Sequence, residues 1–149
     1  MKWWLVFLPC VWLSCSTVGM AGPASKLGLM VLAVCSLHGS RTQSIAGGLI
    51  LGLLEGGIVG SNFGAFIVTR VLAGLLLGSV RTLEFDANFV LAALWAALTT
   101  LVAHSLFVLG VPSGSFLDSA LATLTTALLN AALAIPTYGL VSRILASQS

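Results

Sequence analysis

From residue 3 to residue 140 the chain is a string of apolar stretches, joined by connections too short to build a domain. A bilayer-spanning helix needs about 20 mostly apolar residues, within a range of about 17 to 25. The stretches fall at 3–20, 24–37, 45–59, 63–80, 87–109 and 117–140. The second is short, so it tilts little or lies partly in the interface. Only Gly60-Ser61-Asn62 separates the third from the fourth, which predicts a tight helical hairpin. Pro136 predicts a kink in the sixth. The pattern predicts an all-α integral membrane protein, a single bundle of about six transmembrane helices.

Composition removes the soluble alternative. Charged residues make up 7% of the chain and hydrophobic ones 58%, where a soluble domain carries about 25% charged. So few charges would leave a large apolar surface in water, which promotes association. The net charge of +2 is too small to argue for nucleic acid.

Residues 3–20 admit two readings. Lys2 and an apolar core suit a signal peptide. Trp3, Trp4 and Trp12 are bulky, no small-x-small site follows, and Trp12 sits where a lipoprotein signal before Cys15 wants a small aliphatic residue. A retained helix is the favoured reading. Orientation follows from the basic residues. Lys2, Arg41, Arg81 and Arg143 fall on one side and Lys26 alone on the other. The positive-inside rule then puts both termini in the cytoplasm.

Gly48, Gly52, Gly56, Gly60 and Gly64 recur every four residues, and Gly74 and Gly78 repeat that spacing. Positions four apart share a helix face. Small residues let backbones approach in lipid, where helices gain little hydrophobic drive to associate. This predicts a helix-packing face, either internal to helices two to four or offered to a partner. Gly60 and Gly64 straddle the turn, so the row does not continue as one straight helix.

Arg70 stands near the middle of the fourth stretch. The strongly apolar residues around it, at about −0.5 kcal/mol each, outweigh one central Arg at about +3 kcal/mol with little margin. Such a residue faces the protein interior and has a partner. The candidate is Glu55, across the short turn. Glu55 lies five residues before Gly60 and Arg70 ten after it. At about 1.5 Å per residue their depths differ by roughly 7 Å, within reach of an Arg stem. The pair is read as a structural intramembrane ion pair rather than a proton or ion path. His104 and Asn130 are possible polar lining, while Thr99, Thr100, Thr123, Thr125 and Thr126 can bond their own helix carbonyls. His38 suits the end of the second helix, where the dipole favours a cation.

No catalytic constellation is legible. There is no H-E-x-x-H, P-loop or nucleophile elbow. Asp86 and Asp118 fall at opposite faces of the predicted topology. Cys10, Cys15 and Cys35 lie inside apolar stretches with no metal-ligand spacing. No cofactor and no metal are expected, and a scaffold or binding subunit fits better than an enzyme.

Three segments carry a family resemblance. A short apolar helix ends in the basic loop Ser36-Leu37-His38-Gly39-Ser40-Arg41. The glycine-rich Ala46-Gly47-Gly48-Leu49-Ile50-Leu51-Gly52-Leu53-Leu54-Glu55 follows, and then the turn Gly60-Ser61-Asn62-Phe63-Gly64. Over 27–109 this order resembles the bacterial rod shape-determining protein MreD family. The chain departs from that pattern in carrying Glu55 where the family has aspartate, one place early, and in carrying Arg70. The resemblance implies a non-catalytic scaffold in the cytoplasmic membrane. Its partner would be an MreC-like bitopic protein, linking MreB filaments to the enzymes that elongate the peptidoglycan wall. It also implies a fold similar to the six-helix substrate-binding subunits of energy-coupling-factor transporters. That similarity supplies the alternative, a vitamin-binding transporter subunit, for which Glu55, His104 and Asn130 would be the polar contacts.

Overall fold

In a computed structural model the described residues form six helices in sequence order. Residues 2–18, 27–80, 88–111 and 115–146 are described. The helices are α1 (Lys2–Val18), α2 (Leu27–Ser36), α3 (Arg41–Val59), α4 (Phe63–Val80), α5 (Phe89–Gly110) and α6 (Phe116–Ala146). Among the described residues three segments are long and apolar enough to cross a membrane: Arg41–Val59, Phe89–Gly110 and Leu117–Ile144. Trp3–Trp12, Leu27–Ser36 and Phe63–Ser79 are shorter apolar helices.

Several boundaries differ from the sequence reading. The third helix begins at Arg41, not residue 45. Ser40 is its N-cap: its hydroxyl accepts from the Gln43 backbone N–H, and the Gln43 side chain accepts from the Ser40 N–H. This reciprocal box satisfies two backbone donors that the first turn would otherwise leave open. Arg41 therefore sits in the first turn of a helix rather than in a loop. The sixth helix runs on to Ala146, beyond residue 140, with Pro136 inside it. Arg143 in the last turn lies where the helix dipole favours a cation. The second helix is described from Leu27 onward, and its expected start at residue 24 lies outside the described residues. Lys26, Arg81, Asp86 and the segments 19–26, 81–87 and 112–114 lie outside the described residues, as do the side chains of Lys2 and Cys15.

The short α2 is the centre of the bundle. Every residue from Gly28 to Ser36 is buried, and α2 packs against all five other helices. Ten residues of helix rise about 15 Å, roughly half the hydrocarbon thickness. A helix apolar on every side suits such a surrounded position. Phe7 and Val11 of α1, Leu51 of α3, Ala73 and Leu77 of α4 and the Ala92–Ala96–Ala103 face of α5 join it in the core. Trp3 stacks on Phe7 at 4.5 Å, and its indole N–H donates to the Cys35 carbonyl at 2.7 Å, tying α1 to the end of α2.

The outward faces are leucine-rich. Leu94, Leu98, Leu121, Leu128 and Leu140 are all exposed. Water is a poor solvent for such a surface and hydrocarbon a good one.

Candidate functional site

The structure brings Glu55 and Arg70 together inside the bundle. The turn between their helices is built by two left-handed residues. Gly60 caps α3 at φ 69° with its N–H on the Gly56 carbonyl, and Asn62 follows at φ 54°. Glycine tolerates that region freely, and asparagine is among the few other residues enriched there. Helix α4 then folds straight back along α3.

The glycines set how close the two helices come. A Cβ on Gly48 would strike the Arg70 carbonyl oxygen, and one on Gly74 the Ser44 carbonyl oxygen. A Cβ on Gly52 would stand 2.8 Å from the Ile67 Cα, and one on Gly78 3.0 Å from the Arg41 Cα. Each helix thus presses its glycines onto the other's backbone. Gly56 lies against Phe63, while Gly47 faces away, toward Trp3 and Phe7. Gly60 and Gly64, expected on the same face, are not part of it, since no described atom lies within 4 Å of a Cβ built on either. The turn at Gly60 breaks the spacing of four, which holds a face only within one helix. The face is internal, with Gly74 and Gly78 taking the places of Gly60 and Gly64.

This approach carries the Arg70 side chain across to Glu55. Arg70 Nε donates to Glu55 Oε2 at 2.7 Å, and Nη2 lies 2.6 Å from the same oxygen. Both residues are almost fully buried. Nη1 reaches Thr69 Oγ1 at 3.5 Å. The guanidinium carbon stands 5.5 Å from the Phe66 ring centroid, near enough for a cation–π attraction. Phe66 meets Phe107 of α5 at 4.8 Å. The other carboxylate oxygen points to α2: a Cβ on Gly28 would stand 2.7 Å from Glu55 Oε1 and 2.5 Å from Leu51 Cδ1. Gly28 belongs to α2, so the carboxylate lies against the backbone of a third helix. The carboxylate therefore sits between the Arg70 guanidinium and α2 at Gly28. Sequence reasoning missed Gly28; its signal was a lone glycine in an otherwise large-residue apolar helix.

A second polar contact joins α5 to α6. Asn130 Nδ2 donates to Thr100 Oγ1 at 2.8 Å, and that hydroxyl donates to the Ala96 carbonyl at 2.7 Å. His104 is half-buried one turn beyond Thr100 on the same face of α5. Thr123, Thr125 and Thr126 bond the carbonyls of Ser119, Leu121 and Ala122. His38 lies 3.3 Å from the Val34 carbonyl and 5.3 Å, ring to ring, from Tyr138 of α6. Among the described residues no three His, Cys, Asp or Glu side chains gather as a metal site. Interhelical hydrogen bonds in membranes average about 0.6 kcal/mol and reach about 1.7 kcal/mol. Asn130→Leu is expected to lower stability within that range, with Thr100→Val costing no more, as read from thermal unfolding of the purified chain in detergent.

Compared with protein-family descriptions, curated proteins and solved structures, the chain matches none. What the arrangement can do must therefore be argued from its own chemistry. Three of the buried polar contacts join different helices of the same chain. Glu55 joins α2, α3 and α4, Asn130 joins α5 and α6, and Trp3 joins α1 and α2.

Proposed function

We propose that the chain is a six-span subunit of a bacterial cytoplasmic membrane, with both termini in the cytoplasm, and a non-catalytic scaffold of the wall-elongation machinery. Its partner in this reading is an MreC-like bitopic protein, and through it MreB filaments and the enzymes that build peptidoglycan. Two supports carry the proposal. The order of the Ser36–Arg41 loop, the Ala46–Glu55 helix and the Gly60–Gly64 turn resembles the rod shape-determining MreD family. The structural observation that supports it is the Glu55–Arg70 contact at 2.6 Å. A carboxylate bound this way serves cohesion, which is what a scaffold needs of an intramembrane charge.

The same observation weighs against a vitamin-binding transporter subunit. Glu55 and Asn130, polar side chains that reading would use, are engaged within the bundle. The similarity to energy-coupling-factor binding subunits would then be one of fold. In the test, the tagged chain is purified from its host and the encoding gene is depleted. The expected result is recovery of an MreC-like protein and rounding of rod-shaped cells. Cells that stay rod-shaped, with a coupling ATPase and a small vitamin-like molecule co-purifying, would overturn the proposal.

A further inference from the structure

Helix α4 is 18 residues long, close to the shortest length that spans a bilayer, and it carries Arg70 near its middle. On its own it is a poor candidate for lipid, because a central Arg cancels most of what its apolar residues contribute. The other contacts of the guanidinium, Thr69 and Phe66, come from its own helix and supply no charge. Among the described residues Glu55 is the one carboxylate near it; Asp118 sits beside Ser115 at the start of α6. Glu55 reaches it only across a three-residue turn. Gly56, Gly52 and Gly48 of α3 and Gly74 and Gly78 of α4 are fitted to the opposite helix along the path from that turn to Arg41. A short turn makes the pair cheap to close in entropy, since loop-closure cost rises with length.

We infer that α3 and α4 enter the membrane as one unit, in which Glu55 is the counter-charge that lets Arg70 cross. The inference rests on the membrane-spanning reading and goes beyond it, because helices of a bundle can also insert one at a time. In the coupled order, Arg70 meets lipid already paired. Neither charge waits for α5 or α6, and the turn at Ser61 arrives on the far side only when both helices do.

The test follows insertion rather than final stability, so that degradation of a misfolded variant does not decide it. The full-length chain, with Cys10, Cys15 and Cys35 changed to alanine and Ser61→Cys as the reporter, is synthesised beside inverted bacterial membrane vesicles. Ser61 is exposed in the fold. It is reached by a membrane-impermeant maleimide only if the turn has stayed on the side of synthesis. With the native pair the turn is expected to be protected in most chains and labelled after detergent. Glu55→Leu is expected to lower the protected fraction at least about threefold, since an unpaired Arg now stands in the span. Glu55→Leu with Arg70→Leu is expected to restore it. Protection unchanged in Glu55→Leu, or still lost in the double variant, overturns the inference while leaving the spanning reading intact. A labelled turn in the chain with the native pair overturns both.

Discussion

Glu55→Leu, made alone, is expected to remove about 3–5 kcal/mol of stability, the usual loss when one partner of a buried ion pair is deleted. Arg70 is 1% exposed, and its guanidinium cannot shed its charge in a protein. It would be left beside Phe66 and Thr69, cut off from bulk water, with no carboxylate among the described residues near it. Arg70→Leu removes the charge that cannot be neutralised and is expected to be the milder single change. Replacing both residues by leucine should recover most of the loss, because a well-packed apolar pair of similar volume is often as stable as a buried ion pair. Thermal unfolding of the three variants in matched detergent reads all of this. Accumulation of each in the membrane gives an independent reading. A double variant no more stable than the worse single one would mean that the two side chains do not act as a pair.

The second large effect lies in the hairpin glycines. Gly48→Leu is expected to cost more than the about 1–3 kcal/mol typical of overpacking, since the obstacle is the Arg70 backbone carbonyl and not a side chain that can rotate away. Gly74→Leu meets the Ser44 carbonyl in the same way. Both should push α3 and α4 apart and loosen the Glu55–Arg70 contact with them. Gly57 is the control. It is exposed, and no described atom lies within 4 Å of a Cβ built there. Gly57→Ala should be neutral or stabilising by up to about 1 kcal/mol, the difference in helix propensity. Unfolding temperatures that rank Gly48→Leu beside Gly57→Ala would contradict the packing described here.

Which features could be read from the sequence follows from the range of the forces involved. The pairing of Glu55 with Arg70 was legible because both flank one short turn, so depth along two adjoining helices was enough to bring them together. The row Gly48–Gly52–Gly56 was legible for the same reason, one helix and one face. Its extension to Gly60 and Gly64 failed because the chain reverses there. Membership of the face passes instead to Gly74 and Gly78, which run back along α3. The start of α3 at Arg41 was hidden by treating a basic residue as loop, although Ser40 and Gln43 spell a capping box. Two features needed the assembled bundle. An apolar helix without a polar side, such as α2, does not announce that five others surround it. Asn130 finds Thr100 only through the register of α5 on α6, which no local pattern specifies. Gly28 belongs with these, since its small size matters only once Glu55 is known to lie against it.

The central proposal is that lipid surrounds these helices and that the chain crosses it six times. Side-specific labelling of single cysteines in intact cells tests it most directly, with reporters at Ser40, Ser61, Ser115 and Ala146. The account predicts Ser61 and Ser115 labelled from outside, and Ser40 and Ala146 only after the membrane is opened. Ser40 and Ser61 on the same side, or a chain that washes from the membrane as a folded soluble protein, would contradict it.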